Sequence, residues 1–577
     1  MENLEKIRHS LAHLMASALM ESFPKAKLAI GPAIENGFYY DVEIKDLKPE
    51  DLQKIEARMK ELIKENQEFV GKKVSKIVAK KLFKNQPYKL EIIKDLKEKT
   101  VGTYQNGEFL DLCKGGHVEN TKEIDPNGFK LTKIAGAYWK GDEKNKMLTR
   151  IYGVAFATGK ELQDYLTMQA EAEKRDHRVL GQKLDLFVFS ELVGPGLPLY
   201  TFKGASILRK IKEYSNELQK EIGYQEVQTP NMNRAELFKI SGHYDKYKDD
   251  MFLVNSHYSK EEYYLKPMNC PQHTQIYASQ QRSYKDLPVR INDFAQLYRD
   301  EKTGELAGLT RLRAFSQDDG HCFCREDQIE QEFEMILSAI KKAMETYGMN
   351  YKIRLSLWDP KKPEKYLGDK KTWEKSQALL RSILVKNKIE HFEAVGEAAF
   401  YGPKMDLISK DSLGREWQIS TIQLDFLMPE RFGLTYTNSE GKEKTPIMIH
   451  RAIVGSPERF LGILIEHYAG AFPLWLSPVQ VAIIPISEKH VEYANKIAEE
   501  FKMNEVRFII SAENETLGKK IREAEMQKMP YILIVGDKEI AANAVGVRQR
   551  GKGDLGSVAI ADFLQKIKEE IDSKKYT

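Results

Sequence analysis

The chain has 577 residues, 42% apolar and 30% charged, an ordinary globular composition that at roughly 150 residues per domain is too long for one core. No run of about 18 apolar residues exists to span a membrane, and a start carrying Glu2, Glu5, His9 and His13 fits neither a secretory signal nor a transit peptide. Four cysteines are too few for a disulfide framework, so a cytoplasmic location is expected, and a net charge of +4 does not by itself announce a nucleic-acid partner.

In chain order, a helix is predicted over about 3–21. A Gly-punctuated stretch (Gly31 to Asp41), a second helix over about 49–66 and short alternating strands follow, up to about 155. Residues 71–100 hold ten lysines against three acids, an excess able to follow phosphates, with a solvated face as the plain alternative. Gly159 to Leu180 reads as a helix polar on most faces, of the kind that bridges domains. A helix at 204–221 sits near the start of a middle section, 181–477, of strands parted by Gly, Asp and Asn turns. From Val479 onward strands (481–485, 506–510, 531–535) alternate with helices (489–502, 515–527, 558–572), which predicts a small α/β domain with a largely parallel sheet. Within it, Gly546 to Gly553 and Gly551 to Gly556 imitate a phosphate loop and a dinucleotide fingerprint. Gly553 stands where Ser or Thr should hold magnesium, and the chain ends 21 residues after Gly556, so a tight turn between strand and helix is expected instead.

Two constellations carry chemistry. His9 and His13, four apart on the first predicted helix, share a face, and Cys113 and His117 flank Lys114-Gly115-Gly116. By spacing alone these four donors suit a zinc site, a metal-free hydrolytic pocket or packed structural histidines, and no Glu follows His9 to make the metalloprotease pattern. Cys270, His321 and His450 are scattered single donors, which by themselves read as core residues, with Cys322 and Cys324 as rival thiols.

The pairs His9/His13 and Cys113/His117, with Gly31-Pro32-Ala33-Ile34-Glu35-Asn36-Gly37-Phe38-Tyr39-Tyr40-Asp41, resemble the editing domain shared by threonyl- and alanyl-tRNA synthetases. Phe294 to Glu301 and Gly308 to Phe315 resemble motif 2 of class II aminoacyl-tRNA synthetases, Gly455 to Phe460 resembles motif 3, and the helix from Gly204 with the strand ending at Pro230 resembles motif 1. The order is similar to that of the threonyl-specific family over essentially the whole chain, beginning directly at the editing region without the small β-grasp domain of most bacterial members.

The resemblance implies a multidomain α+β and α/β architecture: an α+β editing domain (1–158), a linker helix (159–180), an antiparallel-sheet catalytic domain (181–477) and an α/β anticodon-binding domain (478–577). It implies an editing role for His9, His13, Lys89, Asp111, Cys113 and His117, one zinc per subunit on Cys270, His321 and His450, and Mg²⁺ accompanying ATP. Arg299, Arg311, Phe315, Gln418, Thr421 and Arg459 would bind ATP, Gln317, Asp319, Tyr401 and Gln423 threonine, and Arg299, Lys404 and His243 would act in catalysis. Glu539 and Arg548 would read anticodon bases. The expected partners are threonine, ATP, tRNA(Thr) and a second copy of the chain through motif 1, with no membrane. The division of labour has a physical basis: a site demanding a hydroxyl rejects valine by ~10⁴ or more, whereas serine differs by one methyl, worth ~1–3 kcal/mol, and calls for a second, hydrolytic site. A seryl- or prolyl-specific relative would lack the Cys270, His321 and His450 set. A catalytically dead RNA-binding or free-standing editing paralogue has no need of Arg299, Arg311 and Arg459.

Overall fold

The computed structural model describes residues 2–411 and 414–575 and divides into two compact units, Met1–Glu171 and Ala172–Thr577.

In the first unit, helix Glu2–Ser22 buries Ile7, Leu11, Leu14, Met15, Ala18 and Leu19, the spacing of one helical face. Helix Asp51–Lys64 buries Leu52, Ile55, Met59, Leu62 and Ile63 in the same core. Both pack on an antiparallel sheet ordered Lys27–Leu28, Gly37–Glu43, Met147–Ala155, Phe129–Tyr138. A second antiparallel sheet joins Phe69–Ser75, Thr100–Asn106 and Phe109–Leu112.

The predicted polar helix is two helices, Gly159–Arg175 and His177–Lys183. Asp176 leaves helical geometry (φ −48, ψ 121) and its carboxylate accepts the Arg178 backbone N–H at 2.8 Å, capping the second helix.

In the second unit an eight-stranded sheet runs Gln225–Glu226, Val289–Tyr298, Ala314–Cys324, Ile447–Ala452, Glu416–Asp425, Lys404–Lys410, Asn350–Leu357, His391–Val395. Its inner pairings are antiparallel and its two outermost ones parallel. Helices Phe202–Glu221, Ile329–Thr346, Lys370–Lys386 and Pro457–His467 bury apolar faces in the core on this sheet. The C-terminal sheet is ordered Phe508–Ile510, Val481–Pro485, Tyr531–Val535, Ala544–Gln549, Gly553–Ala559, with two parallel and two antiparallel pairings. It is therefore mixed rather than largely parallel. The glycines read as a strand-to-helix turn instead close a hairpin, with Gly551 at φ 78 and Gly553 at φ 80. The sequence hides its two strands because polar and Gly residues dilute their alternation.

Candidate functional site

The first unit holds a cavity of about 700 Å³ lined by His9, His13, Lys89, Asp111 and Cys113. Helix Glu2–Ser22 supplies both imidazoles one turn apart, and the strand Phe109–Leu112 supplies Asp111 and leads into Cys113. The Cys113 thiol lies 3.5 Å from His9 Nε2 and 3.2 Å from His117 Nε2. Ser10 Oγ is 3.3 Å from His117 Nδ1, and Phe69 stacks on that ring at 4.9 Å. Asp111 sits 3.9 Å from His13 Nε2, and is held by Lys89 Nζ at 2.5 Å and by the Tyr40 hydroxyl at 2.5 Å. All six residues expected here converge. Tyr40 was missed as a participant, although its place on the buried face of strand Gly37–Glu43 with Phe38 and Val42 marks it.

Burial sets the electrostatics. It lowers the pKa of His9 and His13, and, with the neighbouring His13 and His9 rings, brings His117 down to about 2. Burial raises that of the Cys113 thiol. At neutral pH the pocket thus offers uncharged imidazoles, able to accept a proton from a water or orient it, beside the Lys89–Asp111 pair.

The second unit holds two cavities, about 510 and 720 Å³, that share Arg299, Arg311, Gln317, Thr421 and Gln423 as lining residues. Strand pleating explains much of the arrangement: Phe315, Gln317, Asp319 and His321 are alternate residues of Ala314–Cys324 and face one way. Cys322 and Cys324 face the core beneath, where the Cys322 thiol meets Glu332 at 3.3 Å, so neither is among the donors grouped with His321. His321 and His450 are cross-strand partners, and Cys270 begins helix Cys270–Ala278.

The donor atoms of Cys270, His321 and His450 all lie within 4.8 Å of one another, and all three side chains are buried. His321 Nε2 and His450 Nδ1 are 3.1 Å apart. Their other ring nitrogens are engaged from behind, His450 Nε2 by Asp425 at 3.0 Å and His321 Nδ1 by His273 at 2.6 Å. A thiol and two oriented imidazoles converging on one point suit a zinc ion with a further position open to the cavity. Burial pushes the Cys270 thiol pKa up, so the thiolate form needs such a cation beside it.

Around this triad, Tyr401 stacks on His450 at 4.7 Å and its hydroxyl donates to Gln423. Asp319 lies 3.8 Å from His321 Nε2, and burial pushes its carboxyl up to about 7. His243 is buried. Its Nδ1 lies 2.8 Å from Ser241 Oγ, and burial, reinforced by His450 and Arg299, brings its pKa down to about 3.

In the larger cavity the Arg299 guanidinium lies 5.1 Å over Phe315, and Arg459 lies 5.8 Å over Trp417, an aromatic that sequence reading missed. Arg311 is held by Glu301 and Glu305 at 2.7 and 2.9 Å. Gln418 and Thr421 line the cavity and both donate to Asp406, at 2.8 and 2.9 Å. Lys404 turns to Asp406 Oδ2 at 2.9 Å, and neither cavity's lining includes it. In the C-terminal module, Glu539 Oε2 accepts the Gly536 N–H at 3.0 Å and half-buried Arg548 lies 3.8 Å from Glu525.

Residues 252–468 match the tRNA synthetase class II core domain (G, H, P, S and T), 480–570 an anticodon binding domain, and 101–152 the threonyl and alanyl tRNA synthetase second additional domain. The threonine–tRNA ligase of Thermotoga petrophila is 47% identical over 575 residues, 99% of this chain and 89% of the relative. The chain belongs to the threonine–tRNA ligase family. Another member, from Rubrobacter xylanophilus, is 45% identical over 578 residues, 100% of this chain and 90% of that one. Among solved members of the family, the crystal structure titled as the RNA binding domain of threonyl-tRNA synthetase from Cryptosporidium parvum superposes with a TM-score of 0.66 at 36% identity, covering 70% of this chain and 99% of that one. No helix among the described residues is long and apolar enough to cross a membrane.

Proposed function

We propose that the chain activates threonine with ATP, transfers it to tRNA(Thr), and hydrolyses mischarged seryl-tRNA(Thr) at the His9, His13, Cys113, His117 pocket. The observation that carries this reading is the convergence of Cys270, His321 and His450 on a cavity also lined by Gln317, Asp319, Tyr401, Gln423 and Arg299.

Adenylation joins a carboxylate to the α-phosphate, a step of positioning and charge stabilisation. Arg299, which lines both cavities, is assigned the α-phosphate; Arg311, tethered but half exposed, the outer phosphates with Mg²⁺. Phe315 and Arg459 flank the adenine, and Gln418 and Thr421 form the wall held by Asp406. Zinc on Cys270, His321 and His450, when bound, supplies an open coordination position for the amino and hydroxyl groups of threonine. Asp319 accepts from that hydroxyl, Gln317, Tyr401 and Gln423 bound the side chain, and valine leaves these groups without a partner. Lys404 acts through Asp406, and His243, neutral and beside the cavity, is placed to take a proton during transfer to tRNA.

In the first unit, the neutral imidazoles orient a water against the ester carbonyl without metal, and Lys89 and Asp111 fix the polar wall. Glu539 and Arg548 are assigned to anticodon reading. The division 1–158, 159–180, 181–477 and 478–577 follows these roles. A homodimer is supported by apolar side chains left exposed between 188 and 202, Leu192 fully and Phe202 at 74%, and a cytoplasmic location by four cysteines none of which is paired.

The test is zinc content together with threonine-dependent ATP–pyrophosphate exchange in the wild type and in Cys270→Ser. We expect about one zinc per chain in the wild type, loss of it in the variant, and exchange reduced by orders of magnitude. Metal-stripped protein that still prefers threonine to valine would refute the reading.

A further inference from the structure

His177 opens the helix that follows Asp176, and its side chain is 7% exposed. Its Nδ1 lies 2.7 Å from Glu466 Oε1, which also accepts the His177 backbone N–H at 3.0 Å. Its Nε2 lies 3.0 Å from the backbone N of Leu309. A carboxylate only accepts and a backbone N–H only donates, so the ring is a neutral imidazole with its proton on Nδ1. The two contacts reach elements remote in sequence. Glu466 stands two turns after Arg459 on helix Pro457–His467, and its other oxygen accepts from Arg415. Leu309 lines the larger cavity two residues before Arg311.

The packing admits no side chain at the position just before Leu309. Gly308 has φ 52, and a Cβ there would lie 2.1 Å from His177 Nε2. Burial pushes the Glu466 carboxyl up, but hydrogen bonds from the His177 ring and backbone and the charge of Arg415 outweigh it, so it stays ionised. Asp176, His177 and Glu466 have donor atoms close enough to suggest a cation site. However, both ring nitrogens of His177 are already taken, Nδ1–H by Glu466 and the Nε2 lone pair by the Leu309 N–H, so the imidazole has no lone pair left for a cation.

We propose that His177 is a positioning residue for the nucleotide half of the adenylation site: it ties the loop that carries Arg311 to the helix that carries Arg459, and so sets the spacing of two arginines that grip opposite parts of ATP. The inference rests on the threonine–tRNA ligase reading.

The experiment measures threonine-dependent ATP–pyrophosphate exchange by the full chain while ATP and threonine are varied separately, with thermal unfolding alongside. His177→Phe keeps the bulk and removes both ring contacts. His177→Gln keeps an acceptor toward Leu309 and a donor toward Glu466. We expect the Phe variant to raise the KM for ATP about tenfold or more, to leave the KM for threonine within about twofold, and to be largely rescued in the Gln variant. Unchanged KM values, an equal rise in both, or a Gln variant as damaged as the Phe variant overturns the proposal, because a purely structural role predicts those patterns. Should the Phe variant fail to fold, Glu466→Gln takes its place, with the same selective rise in the KM for ATP expected and the same alternatives overturning it. A wild type without threonine-dependent exchange overturns the underlying reading and the proposal together. Activity in the wild type with no selective effect on ATP overturns the proposal alone.

Discussion

Asp406 shows how one buried charge can organise a wall of a cavity it does not line. Its side chain is fully buried, and Lys404, Arg354 and Ser356 donate to one oxygen at 2.9, 2.9 and 2.7 Å. Gln418 and Thr421 donate to the other. A carboxylate out of water is tolerated only with this degree of pairing. Asp406→Asn, nearly unchanged in shape, leaves two cations short of a partner and should destabilise the chain by about 3–5 kcal/mol, read as a lower denaturant midpoint. Because Gln418 and Thr421 are freed together, the KM for ATP should rise as well. A variant as stable as the wild type would show that the charge is compensated elsewhere. The sequence carried only a faint sign of this residue, a lone Asp amid Met405, Leu407 and Ile408. What it cannot display is the cross-strand pairing with Thr421 that makes Asp406 a hub.

Among the elements, helix Glu2–Ser22 combines an apolar face with His9 and His13. Both imidazoles, and His117 opposite them, have pKa values depressed by burial. The unfolded chain therefore takes up protons first as pH falls. Stability from these residues is complete above pH 6.5 and is lost on acidification from 6.5 toward the folded value, about 2 for His117. Between pH 7 and pH 5, His117 alone should cost the first unit about 1 kcal/mol or more, seen as a lower urea midpoint, and His117→Gln should flatten that dependence. A midpoint indifferent to pH in this range would contradict the assignment of neutral rings. The pairs on this helix and around Gly115-Gly116 were legible because their members are close in sequence. Asp176 was not, since one capping residue inside a polar run looks like any other charged position until its ψ of 121 is seen.

At the scale of the whole molecule, strong periodicity survived translation into structure. Helices predicted at 3–21, 49–66 and 204–221 appear as Glu2–Ser22, Asp51–Lys64 and Phe202–Glu221, and the strand at 481–485 within its stated bounds. The final hairpin did not, for Gly553, Asp554, Gly556 and Ser557 lack the alternation that marks a strand. The Cys270, His321, His450 set was invisible to spacing. Its members come from a helix start and two neighbouring strands, and only the motifs around them drew attention.

The pleat that turns His321 to the cavity sends Cys322 and Cys324 into the apolar layer beneath, and Cys270, though it lines the smaller cavity, is buried with its thiol pKa pushed up, which leaves Cys113 alone partly exposed. An alkylating reagent added to the native protein should accordingly consume one sulfur per chain, more slowly than it would a free thiol because burial raises the Cys113 pKa. The other three should react only as the larger unit opens, so the label count, followed by mass spectrometry through a denaturant series, becomes a stopwatch for each half of the molecule. Immediate labelling of all four would mean that the sheet does not shelter what its pleat directs inward.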